Sequence, residues 1–215
     1  TGALYAKLIA ERQARTYIPD TLILTEIGFA LDFQKRGGYA EYHSPEHAAY
    51  KPSQKSKPEG FWTWDNQIMA GIAYNPNNVP AAEAPKKWED LLDPKWRGKM
   101  VWTSVPVQGG PWGFFYLILD SMGQQAGMEY LTKLSAQKIV NYPANARTVL
   151  DQVIAGAYPI GLMLPNSQVE YSKAQGAPIR WVAPDPAMAL IDTMSLIRNA
   201  PHPNAGRLYI DFVAS

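Results

Sequence analysis

The stretch Val101–Asp120, VWTSVPVQGGPWGFFYLILD, constrains the fold more than any other part of the sequence. Its first residues, Val101–Thr103, are typical of a buried strand, and apolar residues at helical spacing follow Pro111. Proline suits a first helical turn, because the N–H that it lacks would have no partner there. The stretch therefore predicts a strand, a loop over Ser104–Gly110, and a helix that begins near Pro111.

The predicted loop brings backbone N–H groups to a helix N-terminus, which is the positive end of the helix dipole. Such a position suits a carboxylate, a phosphate or another anion. Gly109 and Gly110 would let a ligand approach the backbone closely, and Trp112 would add a flat apolar wall. A tight strand-to-helix turn without a ligand explains the same residues equally well, so the loop alone leaves both interpretations open.

Strands and helices alternate along most of the chain, which is typical of α/β folds with parallel sheets. Near its start, a helix over Thr1–Ala14, a strand over Leu22–Leu24 and a helix over Glu26–Lys35 follow one another. A second alternation runs from Tyr74 to Val182. We expect the chain to cross between two domains near Tyr74.

The remaining segments are assigned from the same patterns. Proline-rich residues 42–60 predict an irregular surface loop, and the aromatic stretch Phe61–Tyr74 predicts two strands. Further helices are expected at 88–92, 127–134, 144–155, 168–174 and 202–213, and further strands at 139–142, 158–163, 179–182 and 189–198.

Composition excludes several classes of protein. Twenty basic and nineteen acidic residues give a net charge of +1, which favours neither nucleic acid nor an anionic membrane surface. The absence of cysteine excludes disulfides, zinc–thiolate sites and a cysteine nucleophile. No run of about 20 apolar residues is present that could span a membrane.

The sequence gives little support for catalysis. His43 and His47 lie in the Pro-rich segment without a helical pattern that would place them on one face, and His202 is typical of a helix start. No serine lies in a Gly-x-Ser-x-Gly elbow, and the Gly109-Gly110 pair lacks the Lys-Ser/Thr of a phosphate loop. We therefore predict no catalytic residue, no metal and no cofactor.

Five segments resemble periplasmic solute-binding proteins of ABC transporters, in the branch that contains the ferric-iron binders. They are YNPNNVP (74–80), WEDLLDPKWRGKM (88–100), VIAGAYPIGLM (153–163), GAPIRWVAPDP (176–186) and NAPHPNAGRLYIDFVAS (199–215). The resemblance runs over nearly the whole chain in the order of the family. The segments at 88–100 and 199–215 are the most specific.

The resemblance implies an α/β, two-lobed periplasmic-binding-protein fold of type II, with three-layer α/β lobes joined by a hinge and a ligand cleft between them. Lobe one would comprise residues 1–73 and 184–215, and lobe two residues 74–183. Family members carry more structure at both ends, so the resemblance also implies a chain truncated there. The implied protein is a periplasmic, monomeric receptor without its signal peptide, whose partners are a small solute and an ABC permease of the inner membrane.

The resemblance also implies ligand-binding residues in lobe two. Gln108, Gly109, Gly110 and Trp112 match the family position where a helix N-terminus holds the ligand or its accompanying anion. Asn145 falls where relatives contribute a polar side chain at the next helix start. Arg147 would face either the ligand or solvent, as a basic residue on a solvated helix face does.

Asn166 and Ser167 stand where the ferric binders place adjacent tyrosines. Phenolate oxygens suit a hard trivalent cation, whereas neutral amide and hydroxyl groups hold it poorly. The sequence therefore favours a small organic solute with a carboxylate or phosphate over ferric iron, which remains the alternative ligand.

Lobe one contributes weaker candidates. Thr25 and Glu26 follow a strand, at the end where open α/β sheets bind ligands, although a helix cap explains them as well. Of Trp62 and Trp64 at least one is expected to pack in the core, and Trp64 is kept as a candidate wall. Asp185 would either contact the ligand or cap a turn.

Two functions remain at this point. The first is a non-catalytic transport receptor that binds a small anionic solute. The second is a transferase-type enzyme on a similar scaffold, which would need a general base near the loop 104–112. Asn145, Asn166 and Ser167 supply no base with a useful pKa, so the sequence favours the receptor.

Overall fold

The computed structural model describes residues 2–25, 27–104 and 111–215, and of Pro111 and Trp112 it describes no side chain. The helices are α1 Gly2–Gln13, α2 Ile27–Lys35, α3 Pro111–Met122, α4 Gln124–Ser135, α5 Ala146–Ile154, α6 Asn166–Ala174 and α7 Pro203–Ala214. The strands are β1 Thr21–Leu24, β2 Thr63–Tyr74, β3 Met100–Thr103, β4 Val140–Tyr142, β5 Ile160–Pro165, β6 Arg180–Val182 and β7 Met188–Leu196. Short 3₁₀ segments lie at Pro45–Ala49, Pro52–Gln54, Trp88–Leu92 and Pro94–Trp96.

The chain forms two compact units. Unit 1 comprises Thr1–Gln67 and Ile191–Ser215, and unit 2 comprises Ile68–Leu190. These bounds differ from the domains predicted at 1–73 with 184–215 and at 74–183. The chain passes between the units inside β2 and β7, several residues from the bounds that the resemblance implied.

Unit 1 contains an antiparallel strand pair with helices around it. β1 pairs with β7 in an antiparallel register that sets Leu22 opposite Ser195 and Leu24 opposite Thr193. The parallel pairing expected for β1 was therefore wrong. Its partner β7 is distant in the sequence, so the two strands are not joined by a single helix as in a parallel strand–helix–strand unit.

The core of unit 1 is largely aromatic. Leu24 and Phe33 are fully buried, and the Tyr39 ring meets the Phe33 ring edge-on with centroids 4.8 Å apart. The helix α1 supplies Tyr5 and Leu8 to the same cluster, whereas its Leu4 is exposed.

Unit 2 contains a mixed sheet. β3 is parallel to both β4 and β5, and β2 is antiparallel to both β5 and β6. The parallel sheet expected between residues 74 and 182 is therefore correct for β3, β4 and β5. The stretch Phe61–Tyr74, predicted as two strands, forms the single long strand β2 from Thr63 onwards, which continues through Asp65 and Asn66 without a turn.

The sheet of unit 2 is buried on both faces. Trp88, Phe114 and Met100 lie in one apolar cluster, whereas Val101 and Val149 lie in another. Consecutive residues of β3 thus point into different clusters, and all four of its residues are buried. A strand covered on both faces by helices is expected to be continuously apolar rather than alternating.

None of the helices that the structure describes is long and apolar enough to cross a membrane.

Candidate functional site

The carboxyl ends of three parallel strands meet at one edge of the sheet in unit 2. Val101 of β3 lies opposite Val140 of β4 and opposite Gly161 of β5. Both pairings are parallel, so all three strands run in the same direction. Beyond β3, Ser104 donates both its backbone N–H (2.8 Å) and its Oγ–H (3.1 Å) to the carbonyl oxygen of Tyr142. This is the edge at which open α/β sheets bind their ligands, and we call it the carboxyl edge of unit 2.

Helix α5 begins at the carboxyl edge with Asn145 as its N-cap. The Oδ1 atom of Asn145 accepts from the backbone N–H of Thr148 at 3.0 Å and from its hydroxyl at 3.2 Å. The amide nitrogen of the same side chain has no partner among the described residues, and Asn145 is exposed. One end of the side chain therefore fixes the helix start, and the other can donate to a ligand.

Helix α6 begins directly where β5 ends. Its predicted start at Gln168 was too late, because Pro165 is an N-cap and Asn166 and Ser167 already belong to the first turn. Asn166 Oδ1 accepts from the backbone N–H of Met69 at 3.0 Å, which ties the helix start to β2. Ser167 is exposed.

Arg147 is already paired. Its guanidinium lies 2.7 Å from Asp151 Oδ1 on the same helix and donates to Ser172 Oγ of α6 at 2.9 Å. The side chain thus connects α5 with α6 near the carboxyl edge. It would have to give up one of these bonds to reach a ligand, so a direct role for Arg147 stays a prediction.

Helix α3 follows β3. Its first turn packs beside the end of that strand, since the Trp102 ring lies 6.0 Å from the Phe114 ring and 5.9 Å from the Phe115 ring. Helices α3, α5 and α6 therefore all follow strands that end at the carboxyl edge. The predicted residues Gln108, Gly109 and Gly110 lie outside the described residues, as does the side chain of Trp112.

The other described candidates lie on other elements, and their role in binding stays a prediction. Thr25 follows β1 in unit 1 and is half-buried, and Glu26 lies outside the described residues. Asp185 is exposed in the segment between β6 and β7 of unit 2. Trp64 lines a cavity of unit 1, whereas Trp62 is 8 % exposed and donates from Nε1 to Gln34 Oε1 at 2.8 Å.

A family model described as "Bacterial extracellular solute-binding protein" matches residues 17–215. The chain belongs to this family. The match extends over both units, and it confirms the family resemblance seen in the sequence. Members of this solute-binding family are binding proteins rather than enzymes.

A curated relative of this solute-binding protein is the probable ABC transporter periplasmic-binding protein y4fP of Sinorhizobium fredii (strain NBRC 101917 / NGR234). The two are 28 % identical over 156 residues, which cover 68 % of this chain and 41 % of the relative. The chain therefore spans less than half the length of that protein.

Solved structures share the fold. The periplasmic binding protein AfuA from Actinobacillus pleuropneumoniae, solved with exogenous fructose-6-phosphate bound, is 21 % identical with a TM-score of 0.79. Iron-bound HitA from Pseudomonas aeruginosa is 21 % identical with a TM-score of 0.77. Both similarities cover all of this chain, and they cover 68 % of AfuA and 69 % of HitA. The predicted two-lobed α/β fold of periplasmic binding proteins is thereby confirmed.

Sequence reasoning missed two features of this solute-binding protein. Ser104 holds the ends of β3 and β4 together, which the sequence could not show before the two strands were paired. Asp192 is a buried carboxylate in β7. The sequence could have indicated this residue, since Asp192 is the one acidic residue inside the otherwise uncharged strand MALIDTMSL.

Proposed function

We propose that this solute-binding protein is the receptor of an ABC importer and that it captures a small anionic organic solute bearing a carboxylate or a phosphate. The observation that carries the proposal is the arrangement of α3, α5 and α6, which all begin after strands that end at the carboxyl edge of unit 2. Membership of the family indicates the class of function, and the helix starts at this edge favour an anionic solute.

The edge favours negative charge for a simple electrostatic reason. The first turn of a helix has backbone N–H groups without partners in the helix, and it carries the positive end of the dipole. Several such helix starts at one sheet edge add their fields around the same region. The amide nitrogen of Asn145 and the hydroxyl of Ser167 can donate further hydrogen bonds there.

An organic solute is favoured over ferric iron by the residues after β5. Asn166 and Ser167 occupy the first turn of α6, and neither offers the anionic oxygen that a trivalent cation prefers. The two related structures were solved with a sugar phosphate and with iron, and their fold alone does not choose between these ligands. The side chains of this protein favour the first.

The proposal includes the setting of the protein. A receptor of this kind works in the periplasm as a monomer and presents its solute to a permease in the inner membrane. The loop residues Gln108, Gly109 and Gly110, together with Trp112, remain proposed solute contacts alongside Asn145 and Ser167.

The substitution Asn145→Asp tests the proposal sharply. Aspartate caps a helix about as well as asparagine, so the fold should persist, but its charge would repel an anion at the carboxyl edge. We expect isothermal titration calorimetry to show saturable binding of fructose-6-phosphate or inorganic phosphate at one site. The affinity should fall by at least about tenfold in the variant, which corresponds to ~1.4 kcal/mol.

The matched control is Gln124→Glu, which adds the same charge at the N-terminus of α4. That helix follows another helix rather than a strand, so its start should leave the affinity unchanged. Equal affinity in the wild type and in Asn145→Asp would show that the solute does not bind at the carboxyl edge of unit 2. An orange-red complex with ferric iron, or chemical conversion of the bound compound, would contradict the proposed ligand class and the receptor role respectively.

A further inference from the structure

A cavity of about 290 Å³ lies in unit 1 beside the first residues of β2. The Tyr50 and Trp64 rings form part of its wall, and both side chains are half-buried. Asp65 and Asn66 lie in the same lining. A carboxylate therefore shares a small, partly aromatic space with two rings.

A second carboxylate is hydrogen-bonded to one residue of this lining. Asn66 donates from Nδ2 to Asp192 Oδ2 of β7 at 3.1 Å. Asp192 is only 9 % exposed, and its Oδ1 atom is buried without a hydrogen-bond partner in the described part of the chain. A buried carboxylate oxygen without a partner is costly, and such a group calls for an explanation.

The negative charges of this cluster are not neutralised by the described residues. The ion pairs found there include neither Asp65 nor Asp192. Burial raises the pKa of Asp65, and the charge of Asp192 raises it further. Burial and the charge of Asp65 likewise raise the pKa of Tyr50. A cation would relieve the repulsion between Asp65 and Asp192, which contributes to the first of these shifts.

We propose that this cavity binds an organic ammonium group. The N–H donors of the ligand would bond to Asp65, its positive charge would lie against the Tyr50 and Trp64 rings, and Asp192 would add attraction through the pair that it forms with Asn66. Aromatic faces attract ammonium ions through the ring quadrupole. The inference goes beyond the proposed function and rests on unit 1 alone.

A divalent metal fits the cavity less well. Ca²⁺ takes six to eight oxygen ligands, and Mg²⁺ requires a near-ideal octahedron. The described residues contain no group of three or more His, Cys, Asp or Glu side chains placed to hold a metal ion. An ammonium ion needs only a few acceptors and gains from the aromatic wall.

The test is a titration of the protein with ethylammonium chloride at pH 7.5, against sodium chloride at equal ionic strength. We expect saturable binding by calorimetry in the wild type, reduced at least about tenfold by Asp65→Asn, since the principal acceptor loses its charge. Asp192→Asn should weaken binding as well. The control Asp120→Asn removes an exposed carboxylate of α3 in unit 2 and should bind as the wild type does.

Trp64 supplies a second measurement. Trp64→Phe keeps an aromatic face and should retain most of the affinity, whereas Trp64→Ala should lose it while circular dichroism shows an intact fold. No saturable binding by the wild type, or equal binding by Asp65→Asn, would overturn the proposal. So would a calcium affinity that exceeds the ethylammonium affinity and depends on Asp65.

Discussion

Two asparagines at helix starts illustrate how a single side chain can serve both fold and ligand. Asn145 and Asn166 each use Oδ1 to accept from a backbone N–H, of Thr148 and of Met69 respectively. Each amide group thereby keeps its nitrogen as a donor at the carboxyl edge. Removing either side chain would disturb a helix start as well as any contact with the proposed solute, and a charge-changing substitution such as Asn145→Asp separates the two effects.

His47 makes stability depend on pH. Burial is the main cause that lowers its pKa from the ordinary value of 6.5, so the folded state holds the neutral ring. The stability that this provides is present above pH 6.5 and is lost as the pH falls through the lowered pKa. We expect the free energy of unfolding, measured in urea, to fall less between pH 7.5 and pH 5 in His47→Gln than in the wild type.

Glutamine is chosen because its amide can still meet the Thr63 hydroxyl, which lies 3.3 Å from His47 Nε2. The two proteins should therefore have similar midpoints at pH 7.5. Identical losses on acidification would show that the His47 ring is already accessible to protons in the fold.

Asn145 and Asn166 were named as candidate site residues through the family resemblance, because relatives place polar or ligand-binding side chains at these positions. The hydrogen bonds of their Oδ1 atoms were not predicted, because the partner of Asn166 lies in a strand about a hundred residues earlier. The pairing of Arg147 with Ser172 was hidden for the same reason.

At the scale of elements, the sequence predicted most helices and strands, because their patterns are strong and local. Strand β3 and helix α3 lie where they were predicted. Asp93 ends one 3₁₀ segment and caps the next by accepting from the backbone N–H of Lys95 at 2.9 Å. The pairing of the strands was predicted correctly only in part. The direction of β1 and the unbroken length of β2 depend on partners that are distant in the chain, which a local pattern does not report.

The pairing of β2 with β6 gives a prediction at this scale. A Cβ atom on Gly71 would collide with the backbone oxygen of Val182 and with the Trp181 ring. We expect Gly71→Ala to lower the free energy of unfolding by about 1–3 kcal/mol, since backbone atoms cannot move aside cheaply. Chemical denaturation measures the change.

Gly28 provides the comparison. It lies in α2, and a Cβ there would meet no atom within 4 Å. Alanine favours a helix over glycine, so Gly28→Ala should leave stability unchanged or raise it by up to about 1 kcal/mol. A Gly71→Ala protein as stable as Gly28→Ala would mean that β2 and β6 separate easily.

At the scale of the whole molecule, each unit has a core of its own. Phe33 is fully buried in the aromatic cluster of unit 1, and Phe114 is 1 % exposed among the apolar residues of unit 2. The carboxyl edge belongs to one unit and the acidic cavity to the other. Each proposed site therefore depends first on the packing of the unit that carries it.

Core substitutions should show this separation. Phe33→Ala and Phe114→Ala should each destabilise the protein by about 3–5 kcal/mol. By amide hydrogen exchange, we expect the first loss of protection within the substituted unit. The exposed Tyr116, substituted by alanine, is the control for unit 2. A uniform loss across residues of both units would instead indicate one cooperative core.

The partnership of β1 with β7 also sets the order in which a ribosome can complete the molecule. Unit 2 is one uninterrupted segment, whereas Thr21 meets its partner Leu196 only after all of unit 2 has been synthesised. Unit 2 can therefore complete its sheet while the backbone N–H and C=O groups of β1 still lack the strand with which they pair. Chaperones that shield nascent chains would therefore be needed at β1 for as long as its partner strand is missing.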